Sequence, residues 1–188
     1  MIPSQATKED IVGIALSAAY HGNDGLFSVL SVLPAPIYAT DADGWITFFN
    51  RACIDFSGRT PTLGEDRWCV TWKLFTEDGA DLPHEECPMA VAIREKRAVR
   101  GAVAVAERPD GTRVIFTPYP TPLIDEDGAV SGAINILIDI TDQRQARELR
   151  SQAMRCRRLA DAVTDVRTAG TLRLMAEDYD AKAKSLGG

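Results

Sequence analysis

GAVSGAINILIDITD occupies Gly128–Asp142, and PLIDEDG (Pro122–Gly128) leads into it. Apolar residues run from Ala133 to Ile138 with one polar interruption, Asn135. A run of that length, rich in β-branched residues and bounded by an Asp-Gly turn, predicts a buried strand over 129–140. Asp139-Ile140-Thr141 ends it, and a charged stretch with helical spacing follows.

Working back from this strand, two more runs predict strands at Arg100–Glu107 and Thr112–Asp125, turning at Pro109-Asp110-Gly111 and at Asp125–Gly128. Further upstream, Ile37–Asp41 and Trp45–Asn50 flank Ala42-Asp43-Gly44, the pattern of a β-hairpin. Asn50 then opens a short helix that stops at Gly58, and residues 60–82 show no regular period. Pro83 and Pro88 flank a helix start, and Glu85 and Glu86 suit its positive end. The order β-β-α-α-α-β-β-β, with tight turns among the last three strands, predicts an α+β fold. One five-stranded antiparallel sheet would carry helices on a single face.

LPAPIYATDADGWITFFNRACIDFSGR (Leu33–Arg59), the DGADLPHEECPMA lead-in and the terminal Asp-Ile-Thr occur here in an order that resembles the PAS family. The resemblance covers residues 26–142. It implies a sensory module in a signalling protein of bacterial type, with Asp139, Ile140 and Thr141 as the relay from sheet to output helix. Thr141 is expected to cap that helix.

Outside that segment, Thr7 and Asp10 approximate a capping box before Ile11, Ile14 and Leu16, which predicts an amphipathic helix within 1–25. In 143–188, Leu149, Ala153, Cys156, Ala160 and Val163 form one stripe, and Leu172, Met175, Tyr179, Ala183 and Leu186 another. These predict a helical hairpin with Thr168 as the second N-cap. The stripes of both flanks together predict a homodimer.

The 188 residues are 45% hydrophobic and 26% charged, as expected of a chain able to bury a core. Net charge is −6, divided into −9 over residues 1–141 and +3 over 142–188. That balance argues against nucleic acid as a partner and leaves a transcriptional accessory role as the third reading. Arg155, Arg157 and Arg158 are the charges expected at a contact with a signalling protein. With no apolar run of membrane-spanning length and no secretory leader pattern, the expected location is the cytoplasm.

The four cysteines show no paired spacing and the chain has two histidines, so no metal site is expected. Glycine-rich phosphate loops, a nucleophile elbow and a phosphoacceptor histidine in the tail are all missing from the sequence, and no enzymatic activity is expected. Trp68 and Trp72, spaced one helical turn apart, are candidates for one wall of a small-ligand pocket, the alternative being that they and their neighbours simply fill the core. Met89 and Ile93 would face Phe116 and Asn135 across it. Asn135 requires a polar partner if it points inward. No cofactor is assigned. Haem, ligated by His84 in a gas or redox sensor, is the alternative. The flavin-binding branch of the family carries an Asn-Cys-Arg motif, which Asn50-Arg51-Ala52-Cys53 does not reproduce.

Overall fold

The computed structural model describes residues 28, 30–125 and 127–186; the expected helix within 1–25, with Ile11, Ile14 and Leu16, lies outside them. The chain divides into two compact units, 1–139 and 140–188.

In the first unit, β1 (Ile37–Asp41) and β2 (Ile46–Phe49) form the expected hairpin, and α1 (Arg51–Ser57) follows. Asn50 starts that helix and does more than cap it. Its Oδ1 accepts from Cys53 N at 3.3 Å and Ile37 N at 3.1 Å. Its Nδ2 donates to the carbonyls of Leu30, Leu33 and Ala35. One buried amide thus meets two backbone N–H groups, in α1 and at the start of β1, and three carbonyls of the proline-interrupted segment before β1.

After the irregular stretch come β3 (Lys73–Phe75), a one-turn 3-10 helix (His84–Glu86) and α2 (Pro88–Glu95), with Pro88 in its first turn. Four more strands follow: β4 (Ala104–Glu107), β5 (Arg113–Pro118), β6 (Thr121–Ile124) and β7 (Val130–Asp139). All pairings are antiparallel, in the order β2-β1-β7-β5-β4-β3, with β6 also on β7.

The α+β class is as expected, while the sheet has seven strands among the described residues rather than five. One addition is the short β3. The other arises because the predicted strand Thr112–Asp125 is broken. Pro118, Pro120 and Pro122 fall at alternate positions, and proline cannot donate to a ladder. β5 and β6 therefore take successive parts of the ten-residue β7, meeting near Tyr119.

The faces of β7 separate cleanly. Ala133 and Leu137 join the main core with Tyr38, Phe56, Met89, Ile93 and Phe116. Ile134 and Ile136 turn to the other side, where Leu30 and Ile37 cover them. Helix α2 lies across β6 and β7 on the main-core side.

The second unit is a hairpin of α3 (Thr141–Ala162) and α4 (Val166–Leu186). Its buried residues are Ala146, Ala153 and Ala160 on α3 and Ala169, Ala176 and Ala183 on α4. Both series recur every seventh residue, the spacing of a coiled-coil seam, and small side chains there let two helix axes approach closely. The larger stripe residues Leu149, Cys156, Val163, Leu172, Tyr179 and Leu186 are half-buried at the flanks, and Met175 is exposed. Two caps differ from expectation. Asp165, not Thr168, accepts at the start of α4, from the Thr168 amide at 2.8 Å. Thr141 is itself the first residue of α3, with Ile140 at the N-cap position and no side-chain cap bond. Arg157 pairs with Asp180 across the hairpin, while Arg155 and Arg158 remain exposed.

Candidate functional site

The irregular stretch after α1 is fastened to the β1–β2 turn. Ile46 N donates to Asp66 O, Gly64 N to Ile46 O and Trp68 N to Gly44 O, at 3.0, 3.0 and 2.7 Å. Arg59 pairs with Asp66 behind them. These bonds hold Trp68 at φ +69°, a left-handed conformation that bulky residues seldom adopt. Its indole lies flat on Gly44, where a β-carbon would run into the ring and where φ is +87°. Only glycine serves at that place.

Trp68 presents its carbonyl inward. The Tyr38 hydroxyl donates to it at 3.0 Å, and Asn135 Nδ2 donates to the same hydroxyl at 3.0 Å. Asn135 Oδ1 accepts from Tyr119 N at 2.9 Å. The amide expected to need a partner therefore has two, and both belong to the protein. Its oxygen meets the donor at the proline-broken joint between β5 and β6. Burial raises the pKa of the Tyr38 phenol well above its ordinary value, so it stays protonated and donates.

Two of the thiols packed here behave alike. Burial pushes Cys53 and Cys87 each up to about 12, so neither is a thiolate nucleophile at neutral pH. Among the described residues, no group of three or more His, Cys, Asp or Glu is placed to hold a metal ion. No described helix is long and apolar enough to cross a membrane.

Met89, Ile93 and Phe116 meet in the main core, and Trp68 packs against it. Phe116 stands edge-on to Phe56, with ring centroids 5.3 Å apart. Trp72 does not join them. The expected helical turn between the two tryptophans is absent, because residues 68–72 run as bends and loop, and Trp72 is 44% exposed with Lys73 over its ring.

His84 precedes α2, in the 3-10 turn. These residues do not fit a haem. The histidine is not on the helix face toward the sheet, and Met89, Ile93, Phe56, Phe116 and Leu137 fill the space a porphyrin would need. Burial, then the Arg59 charge, lowers the pKa of the imidazole, and its Nε2 has no hydrogen-bond partner among the described residues.

Above this core an open cavity of about 370 Å³ lies between the β1–β2 turn, the Trp68 segment and α2. Trp68, Ala90 and Ile93 give it apolar walls, while Asp43, Arg67, Glu85 and Arg94 stand around it. The sequence marks Asp43 as a turn residue and Glu85 as a helix-start charge but none of the four as a pocket residue, because charges in a loop and on a helix end look like ordinary solvated surface. Tyr38 was equally silent as one aromatic among strand residues. Thr40, on the same face of β1 as Tyr38, is 3% exposed, and its hydroxyl has no partner among the described residues.

The sequence profile of a family described as the PAS fold matches residues 30–145. Among solved structures, the PAS domain from the fruit-fly ELK potassium channel aligns with a TM-score of 0.50 at 13% identity, covering 63% of this chain and 96% of that one. A Rhodobacter sphaeroides LOV protein aligns over 91% of this chain and 95% of its own, at 13% identity and a TM-score of 0.47. An RNA-binding light-oxygen-voltage receptor aligns at 21% identity and 0.49; the match takes in 74% of this chain but only 37% of that receptor. The profile match spans more than half of the chain and coincides with the sheet, the helices on its inner side and the Asp-Ile-Thr end of β7. The chain belongs to the PAS fold family.

Proposed function

We propose that this protein is a non-enzymatic sensory module that binds a small molecule beside Trp68 and passes a conformational change to its C-terminal helices. The observation that carries this reading is the bonded series Trp68 carbonyl, Tyr38 hydroxyl, Asn135 amide. It links the wall of the cavity to β7, and β7 is the strand that ends at Asp139 and continues through Ile140 and Thr141 into α3.

The positive φ of Trp68 supplies the two-state element. A residue held in a sparsely populated conformation costs on the order of 1–3 kcal/mol, and a ligand that favours another arrangement has that energy to work with. Moving the Trp68 carbonyl releases the Tyr38 hydroxyl, which in turn frees Asn135 to rearrange against Tyr119 and the β5–β6 joint. The strain at β7 is then read by α3 as a change in order or association, by a second copy of the chain or a signalling protein. The homodimer belongs to this proposal. Its tail contribution is reduced, since the hairpin buries its own alanine seam.

Hydrogen exchange provides the test. Tyr38→Phe removes the middle link while keeping the ring. The proposal expects altered exchange at residues 142–165, far along the chain from the substitution, together with a retained sheet. Exchange in 142–165 identical to wild type would refute the relay.

A further inference from the structure

Arg67 is held by three contacts. Its guanidinium carbon lies 5.0 Å from the Trp45 ring and 4.7 Å from the Trp68 ring, between two indoles. Its Nε donates to Asp43 O at 2.6 Å. Among the described residues its Nη donors have no acceptor, and the two rings with the Asp43 carbonyl orient the exposed guanidinium. Arg94, Glu85 and the Asp43 carboxylate also line the cavity, and none takes part in an ion pair among the described residues. Two cations and two anions thus surround one cavity without neutralising one another.

That arrangement selects by charge. A simple anion meets Asp43 and Glu85, a simple cation meets Arg67 and Arg94, and a neutral molecule uses neither pair. A ligand carrying both charges close together satisfies both. The remaining walls, Trp68, Ala90 and Ile93, are apolar. We propose that the cavity holds a free α-amino acid with an apolar side chain. Its carboxylate would lie against Arg67 and Arg94, its ammonium toward Asp43 and Glu85, and its side chain on Trp68 and Ile93. This rests on the reading of the domain as a ligand sensor and names the class of ligand. A bidentate carboxylate on a pre-oriented guanidinium is among the stronger charged contacts available.

The test is calorimetric titration of the full chain with L-leucine, and separately with 4-methylpentanoate (no amine) and isoamylamine (no carboxylate). The expected result is saturable binding of leucine with a Kd below about 1 mM, with both analogues weaker by about tenfold or more. Arg67→Met and Glu85→Gln should each weaken leucine by a similar factor; Glu85 is exposed, so its variant folds as wild type. Equal binding of either analogue overturns the proposal, as does no binding of leucine, valine, methionine or phenylalanine. If a deproteinised cell extract protects α2 from exchange while no amino acid does, the ligand class fails and the sensor reading stands. If leucine binds but exchange in α3 is unchanged at saturation, the ligand class stands and the relay fails.

Discussion

Tyr38 and Asn135 face each other directly across β1 and β7, 97 residues apart in sequence, and are joined by a hydrogen bond of 3.0 Å. Neither has an exposed polar atom to spare: Tyr38 is 0% and Asn135 2% exposed. The pair closes the inner face of the sheet and fixes the carbonyl of Trp68 at the same time. A buried polar network of this kind is stable only while complete, since each unmatched member pays its full desolvation cost.

Tyr38→Phe should therefore destabilise the domain by about 1–3 kcal/mol, the cost of leaving a buried donor and acceptor unmatched. Urea unfolding followed by tryptophan fluorescence measures it. A loss near zero would mean that the Trp68 carbonyl and Asn135 amide find other partners readily.

Asn50→Ala should cost about 3 kcal/mol, because a helix cap and the partners of several buried backbone groups are lost together. Asn50→Asp gives the sharper result. Aspartate is ordinarily as good a cap, yet here it would set a carboxylate against the carbonyls of Leu30, Leu33 and Ala35. It should destabilise as well, which a simple capping role would not produce.

His84 makes stability depend on pH. Burial lowers its pKa in the folded protein below the ordinary value of 6.5, so the unfolded chain takes up the proton first. The stability of the neutral ring is complete above 6.5 and is lost as pH falls from there through the depressed folded value. Thermal unfolding at a series of pH values should show wild type losing more stability below 6.5 than His84→Gln. Parallel curves would place the imidazole in water.

Ala153→Leu should open the helical hairpin. Ala153 is 0% exposed in the seam, and forcing a larger side chain into such a contact typically costs about 1–3 kcal/mol. Helix content should fall by circular dichroism while the sheet domain keeps its own unfolding transition.

How much of this was legible in the sequence differs from element to element. Gly128–Asp142 declared its strand because burial on both faces leaves a continuous apolar run, and Asn50 declared a helix start because caps are local. The break at Pro118–Pro122 was written in the residues, but its outcome depends on how far β7 extends alongside, which is a long-range fact. The helical turn expected between Trp68 and Trp72, and with it Trp72's place in the wall, fails for the same reason. Four-residue spacing suggests a helix, whereas the bonds from Gly44 and Ile46 that hold this stretch in an irregular path come from elsewhere in the chain. The alanine seam was partly visible as Ala153, Ala160 and Ala183, though larger neighbours drew the stripe toward themselves. Charge pairs around a cavity leave no periodic trace, and so Arg67 and Arg94 emerge only once the fold is known.

In the proposed relay, Tyr38, Asn135 and β7 couple the Trp68 wall to the C-terminal helices. Hydrogen–deuterium exchange of residues 142–165 in wild type and in Asn135→Leu tests it most directly, with exchange in α1 as the control for an intact fold. The expected result is a clear change in protection across the first half of α3 with α1 unaltered. Identical protection of 142–165 in the two proteins would contradict it.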